Sequence, residues 1–130
     1  MRANIVYSRF LFLIAGVLGL LFLTPMYFRE ERLNADNPPP ITHPEFFYGF
    51  LGVALACQVL FLVIAIDPVR YRLVIVPAIL EKLTYSLAVL ILWSQGRVSG
   101  PLVFTGFVDL TFGVLFIVSF IALARERWVR

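Results

Sequence analysis

Charge, thiols and imidazoles are what this sequence has least of. Aspartate, glutamate, lysine and arginine make up 15% of its 130 residues, against roughly 25% in soluble domains. The one cysteine, Cys57, lies in an apolar run. It can form no internal disulfide, and it argues against a dithiol redox enzyme of the quinone-linked four-helix type. The one histidine, His43, argues against a bundle that holds haem between two histidines. Zinc sites built from several His and Cys ligands are excluded on the same count. No nucleophile–base pair, phosphate-binding glycine loop or metal motif is present, so no residue is assigned a catalytic, metal-binding or cofactor-binding role. The net charge of +3 does not indicate nucleic acid, because the arginines are scattered at the ends of apolar runs and form no basic stripe.

What is abundant is apolar surface. Hydrophobic residues make up 61% of the chain, including 13 Phe, 5 Tyr and 2 Trp, and the mean hydropathy is +0.92. Soluble domains carry about 45–50% apolar residues. So few polar residues cannot enclose this much hydrocarbon, and lipid is its natural solvent.

Four apolar runs are long enough to cross a bilayer, which needs about 20 residues. The first covers residues 5–23. Arg2 and Arg9 precede or open it as in a signal peptide, but its core exceeds the usual h-region of about 7–15 residues and no small-x-small cleavage site follows, so it reads as a membrane anchor. Ala15, Gly16 and Gly19 give it a small-residue face for close packing. Residues 24–45 form a polar outer loop with Arg29-Glu30-Glu31-Arg32 and the stiff triplet Pro38-Pro39-Pro40. Thr42-His43-Pro44-Glu45 predicts a capping box that opens the second span, 46–66. Phe46, Phe47, Tyr48 and Phe50 form an aromatic belt at its mouth, and Gly52 with Ala56 makes a small-xxx-small pair. Asp67-Pro68 predicts the cap and first position of the third helix, with its span at 73–93. Gly96 is a C-terminal stop. Ser99-Gly100-Pro101 starts the fourth span, 102–124, and an interfacial Trp128 closes the tail. The expected fold is all-α: an integral membrane four-helix transmembrane bundle forming one domain over 1–130.

Four spans put both ends of the chain on one side. Arg2, Arg9, Arg70, Arg72, Arg125, Arg127 and Arg130 share it, while Arg29, Arg32 and Arg97 lie opposite beside Glu30, Glu31, Asp36 and Glu45. The positive-inside rule makes the first side cytoplasmic.

The third span holds Glu81-Lys82, an acid and a base side by side in an apolar run. Intramembrane charges are costly and mark functional sites by default. On a helical wheel Ala78, Glu81, Thr84, Tyr85 and Ala88 share an inward face, with Lys82 on its flank near Ser86. Val76, Ile79, Leu80, Leu83, Leu87 and Leu90 face lipid. Pro77, one turn earlier, predicts a kink. The fourth span answers with Thr105, Gly106, Asp109 and Gly113, beside Phe112, Phe116 and Phe120. Gln58 is the strongly polar side chain of the second span. Gln58 and Glu81 both lie roughly 18 Å deep and Asp109 roughly 10 Å, a gap that a lysine stem spans. The expected site is therefore one buried cluster of Glu81, Lys82 and Asp109, with Gln58 and Tyr85 as hydrogen-bond partners. Such a cluster can simply fix helix register. Equally, pairing neutralises two charges and leaves one acid over, which can exchange a proton.

Phe47-Tyr48-Gly49-Phe50-Leu51-Gly52-Val53-Ala54-Leu55, then Gln58, Asp67-Pro68-Val69-Arg70-Tyr71-Arg72 and Pro77-Ala78-Ile79-Leu80-Glu81-Lys82, resembles a set of uncharacterised bacterial four-span inner-membrane proteins. The resemblance implies an inner-membrane location and no activity. In size and span number the chain is also similar to DoxX-like proteins. Small multidrug exporters share the four short spans and a membrane glutamate, but theirs lies in the first helix, where this chain has no acid. The function expected is a non-enzymatic accessory or small-ligand- or lipid-binding membrane protein. The alternatives are a proton-coupled carrier acting as an oligomer, and a lipid- or quinone-modifying enzyme using Glu81 or Asp109 as acid/base. Expected partners are membrane lipids and a homo-oligomer or larger membrane complex.

Overall fold

A computed structural model describes residues 2–98 and 100–127 of the chain. Ser99 at the expected start of the fourth span, and Trp128 and Arg130 of the basic tail, lie outside the described residues. The helices are α1 (Arg2–Tyr27), α2 (Glu30–Asp36), α3 (Pro44–Ile66), α4 (Ile75–Ser94, entered through a 3-10 turn at Arg72–Val74) and α5 (Pro101–Arg127). No strand occurs among the described residues. Four of the helices, α1, α3, α4 with its 3-10 turn, and α5, are long and apolar enough to cross a bilayer. The protein is thus an all-α, four-span membrane bundle.

The helix boundaries follow from proline and glycine. Pro44 and Pro101 open α3 and α5, where a missing N–H costs nothing. Pro77 falls in the first turn of α4, so it removes no interior hydrogen bond and the expected kink has no cause. At the other end of α4, Gly96 adopts φ +67. Its N–H donates to Trp93 O and that of Arg97 to Leu92 O, both at 2.9 Å. This is a Schellman stop, a left-handed turn that suits glycine.

Two expected caps form differently. His43, not Thr42, is the N-cap of α3, with no side-chain cap bond, and Glu45 turns to His43 Nδ1 at 3.2 Å. Pro44 prefers the first helical position, and that moves the cap one residue past the threonine. Asp67 Oδ1 accepts the Arg70 N–H at 3.1 Å. It therefore caps the turn before the 3-10 segment, and α4 proper starts only at Ile75.

The bundle consists of two closely packed pairs, α1 with α3 and α4 with α5. Glycines let each pair approach. A Cβ on Gly16 would meet Leu62 Cδ2 at 2.7 Å, and one on Gly19 would collide with the Gln58 carboxamide. On α5, Gly106 and Gly113 face Val89 and Leu83 at 2.8 and 2.9 Å. Gly52 meets nothing within 4 Å, and Ala56 is exposed beside it. The small pair expected on α3 therefore faces outward. The opposite face carries Leu51, Ala54, Gln58, Phe61 and Ile64, which supply the larger side chains for the core.

A seam between α1 and α5 joins the two pairs. Asn4 Nδ2 donates to Glu126 Oε1 at 2.9 Å, and Ser119 Oγ donates to Ser8 Oγ at 2.6 Å. One turn deeper the rings of Phe12 and Phe116 stack at 4.3 Å, and Phe61 of α3 meets Phe116 edge-on at 5.2 Å. All three phenylalanines are fully buried and centre the core. The start of α1, the end of α5 and the α3–α4 turn thus share one end of the bundle, here the terminal end. Arg9 Nη2 donates there to Ile66 O at 3.0 Å, satisfying a carbonyl at the end of α3. Arg72 Nε donates to Phe120 O at 3.1 Å while its guanidinium lies 4.0 Å over the Phe120 ring. At the opposite loop end, α2 is tied down by Tyr48 OH donating to Glu30 Oε2 and by the Ile41 N–H donating to Asn34 Oδ1, each 2.8 Å.

Gly19→Ala should lower stability by about 1–3 kcal/mol, because the new methyl displaces the Gln58 carboxamide. Gly52→Ala should stay within about 0.5 kcal/mol of the parent. Denaturant unfolding in detergent micelles measures both.

Candidate functional site

Glycine on α5 decides which face of α4 turns inward. With Gly106 on Val89 and Gly113 on Leu83 and the Lys82 Cβ (3.4 Å), Lys82 is centred on the α4–α5 seam. The buried stripe of α4 is Ile75, Ala78, Lys82, Ser86 and Val89, spaced at helical three- and four-residue intervals. Of the inward face expected from the wheel, Ala78, Glu81, Thr84, Tyr85 and Ala88, Ala78 is buried, and the centre of the face lies about one residue from Glu81, at Lys82. Thr84 and Ala88 are exposed. Thr84 can face lipid because its hydroxyl donates to the Leu80 carbonyl of its own helix at 2.7 Å.

Lys82 is the chain's single lysine; every other basic residue is arginine. Its ammonium donates to Asp109 Oδ1 at 3.1 Å and lies 3.3 Å from Glu81 Oε2. It is also 5.3 Å from the centre of the Phe61 ring on α3, a cation–π distance. One cation thereby connects α3, α4 and α5. Its side chain is 9% exposed, that of Asp109 19% and that of Glu81 21%. Asp109 lies about 12 Å along α5 from Pro101, and Lys82 about 18 Å along α4 from Ser94, so the lysine stem reaches toward the loop end.

The partnering is uneven. Asp109 holds Lys82 through an aligned hydrogen bond. Glu81 Oε2 is within ion-pair distance but off the hydrogen-bond axis, and it is buried without a hydrogen-bond partner. Both carboxylates share one ammonium, which leaves the cluster with an excess acceptor at mid-span.

Gln58 and Tyr85 make their hydrogen bonds elsewhere. Gln58 Nε2 donates to Ala54 O at 2.9 Å in its own helix, and its buried Oε1 has no hydrogen-bond partner and sits against Gly19 of α1. The close α1–α3 approach draws the carboxamide away from α4. Tyr85 OH pairs with Thr105 Oγ1 at 2.9 Å, one turn from the ammonium towards the loop end, and its ring stacks on Phe50 of α3 at 6.0 Å. The structure thus brings Glu81, Lys82 and Asp109 together, with Phe61 beneath them and Tyr85–Thr105 above. Phe61 was not anticipated; its helical register with Gln58 was the available signal. Ser8, Ser119 and Glu126 were not anticipated either. Ser8 and Ser119 are lone hydroxyls in apolar runs, and only their meeting across α1 and α5 gives them a role.

No group of three His, Cys, Asp or Glu side chains among the described residues is placed to hold a metal ion. Comparisons of the chain with protein-family models, curated proteins and solved structures give no match.

Removing the ammonium strands two carboxylates in a low-dielectric seam. Lys82→Met should therefore destabilise the bundle by about 3–5 kcal/mol. Adding Glu81→Gln and Asp109→Asn to it should recover most of that loss, because neutral side chains need no counter-ion. Unfolding of the single and triple variants in micelles tests both statements, and a triple variant as unstable as the single one would show that lost packing, not stranded charge, is responsible.

Proposed function

We propose that this protein is a non-enzymatic membrane bundle that binds a small amphiphilic ligand at the Glu81–Lys82–Asp109 cluster, with Tyr85 flanking the site. The observation that carries this reading is Glu81 Oε2, a buried carboxylate oxygen without a hydrogen bond, beside an ammonium already engaged by Asp109. Such an acceptor in hydrocarbon calls for a donor. A ligand with a cationic or hydroxyl headgroup supplies one, and an apolar body suits the surroundings. Helices α3 and α4 touch little. Approach from the lipid between α3 and α4 is consistent with that. The membrane proposed is a bacterial-type inner membrane with the terminal end cytoplasmic, because Arg2, Arg9, Arg70, Arg72 and Arg125 belong to segments at that end.

The ratio of two carboxylates to one ammonium favours a second reading, a proton-coupled carrier acting as an oligomer. The excess acid would bind a proton and a cationic substrate in turn.

Native mass spectrometry of gently extracted protein should show a non-covalent small-molecule or lipid adduct that Glu81→Gln abolishes while helical circular dichroism is kept. A set of adducts unchanged in the variant would contradict the proposed site. For the carrier reading, pH-dependent uptake by proteoliposomes should be lost in Glu81→Gln. For the orientation, a cysteine placed at Asn37 in a Cys57→Ala background should react with an impermeant maleimide in intact cells, and one placed at Arg125 should react only after lysis.

A further inference from the structure

A second amphiphilic feature lies at the loop end, away from the charged cluster. Between the last turns of α1 and the returning helix α2 runs a groove of about 320 Å³. Its lower wall is Leu21, Phe22 and Pro25 of α1, and its upper rim is Arg29, Arg32 and Asp36. Leu21 lies about 9 Å below Tyr27 along the helix axis. The groove therefore passes from hydrocarbon depth to the headgroup layer within the length of a phospholipid's glycerol region. Leu21 and Phe22 are 68% and 58% exposed, so acyl chains have open apolar surface to lie on.

The polar rim carries charges of both signs in order. Arg32 and Asp36 form an exposed ion pair at 3.7 Å from Nε to Oδ2, longer than a hydrogen bond, so their hydrogen-bond donors and acceptors stay open to a ligand. Arg29 has no carboxylate partner among the described residues. Glu30 is taken up by Tyr48 on α3, on another side of α2. In addition, Pro25 has no N–H to give the Leu21 carbonyl, so this backbone acceptor in the groove wall lacks its ordinary helical donor.

We infer that the α1–α2 groove is a binding site for a zwitterionic phospholipid with a primary-amine headgroup, phosphatidylethanolamine. Arg29 and Arg32 take the phosphate, a group suited to guanidinium donors. Asp36, displaced from Arg32, accepts from the ammonium. The acyl chains follow Leu21 and Phe22 down α1. A phosphate with no amine would leave Asp36 beside an anion, and a quaternary amine has no N–H to donate to it. The site is independent of the charged cluster between α4 and α5.

The test is a lipid titration of the delipidated full chain in detergent, read by native mass spectrometry, with palmitoyl-oleoyl phosphatidylethanolamine, phosphatidylglycerol and phosphatidylcholine. Phosphatidylethanolamine should bind about tenfold more tightly than phosphatidylcholine, the equivalent of one charge-assisted hydrogen bond. Arg29→Gln with Arg32→Gln should weaken it about tenfold. Asp36→Asn should bring phosphatidylethanolamine down to the level of phosphatidylcholine. These are surface positions, and circular dichroism confirms that the variants fold. Equal binding of the two zwitterionic lipids, or full binding by the double arginine variant, overturns the site. Preference for phosphatidylglycerol overturns the amine assignment. Competition by glycerophosphoethanolamine as effective as that of the intact lipid overturns the assignment to a lipid.

Discussion

An ammonium in hydrocarbon needs its counter-ion within the protein, and the pairing of Lys82 with Asp109 across the α4–α5 seam meets that constraint. A charged residue at the middle of a spanning helix costs about 2.5–3.5 kcal/mol on insertion scales. The loss is offset only where the partner is held at contact distance and the remaining donors are occupied. Asp109, Glu81 and the Phe61 ring do this from three helices. The register of α4 against α5 follows. A shift of one turn, about 5.4 Å, would separate Lys82 from Asp109 and leave both unpaired.

The seams around this pair depend on close approach. Gly106 and Gly113 bring α5 onto α4, and Gly16 and Gly19 bring α1 onto α3. In lipid there is no hydrophobic force between helices, so packing and internal hydrogen bonds hold them. The α1–α5 seam adds the polar contacts Asn4–Glu126 and Ser8–Ser119 above the stacked phenylalanines. With two tight pairs joined along one seam, α3 and α4 are left loosely apposed on the side where Glu81 keeps its exposure. The same geometry that fixes Lys82 thus leaves its second carboxylate under-satisfied.

The fold class was legible because the apolar runs and the breakers between them leave one arrangement of helices. Gly96 and the opening prolines Pro44 and Pro101 marked boundaries through backbone chemistry that packing does not override. The meeting of Lys82 with Asp109 was legible from depth alone, since both helices run unbroken from their loop ends past the pair and a rise of about 1.5 Å per residue holds along them. The rotation of α4 was not. A wheel drawn from side-chain polarity put Thr84 inward, whereas Thr84 satisfies its own hydroxyl on Leu80 O, and the glycines of α5 select the Lys82 face instead. Gln58 was misaimed for a related reason. It is level with Glu81, but Gly19 opens a socket for it on α1, on the other side of α3. Single-helix patterns carry depth and boundaries, while the choice of neighbour lies in pairs of positions on different helices.

The state of the single lysine is the most direct reading of all this. With Lys82 alone of its kind, lysine labelled with 15N at Nζ gives one side-chain resonance from the protein in micelles or nanodiscs. The expected signal is an ammonium protected from exchange with water, which shifts in Asp109→Asn and again in Glu81→Gln. A resonance that exchanges as fast as free lysine and ignores both substitutions would contradict a buried ammonium shared between two carboxylates.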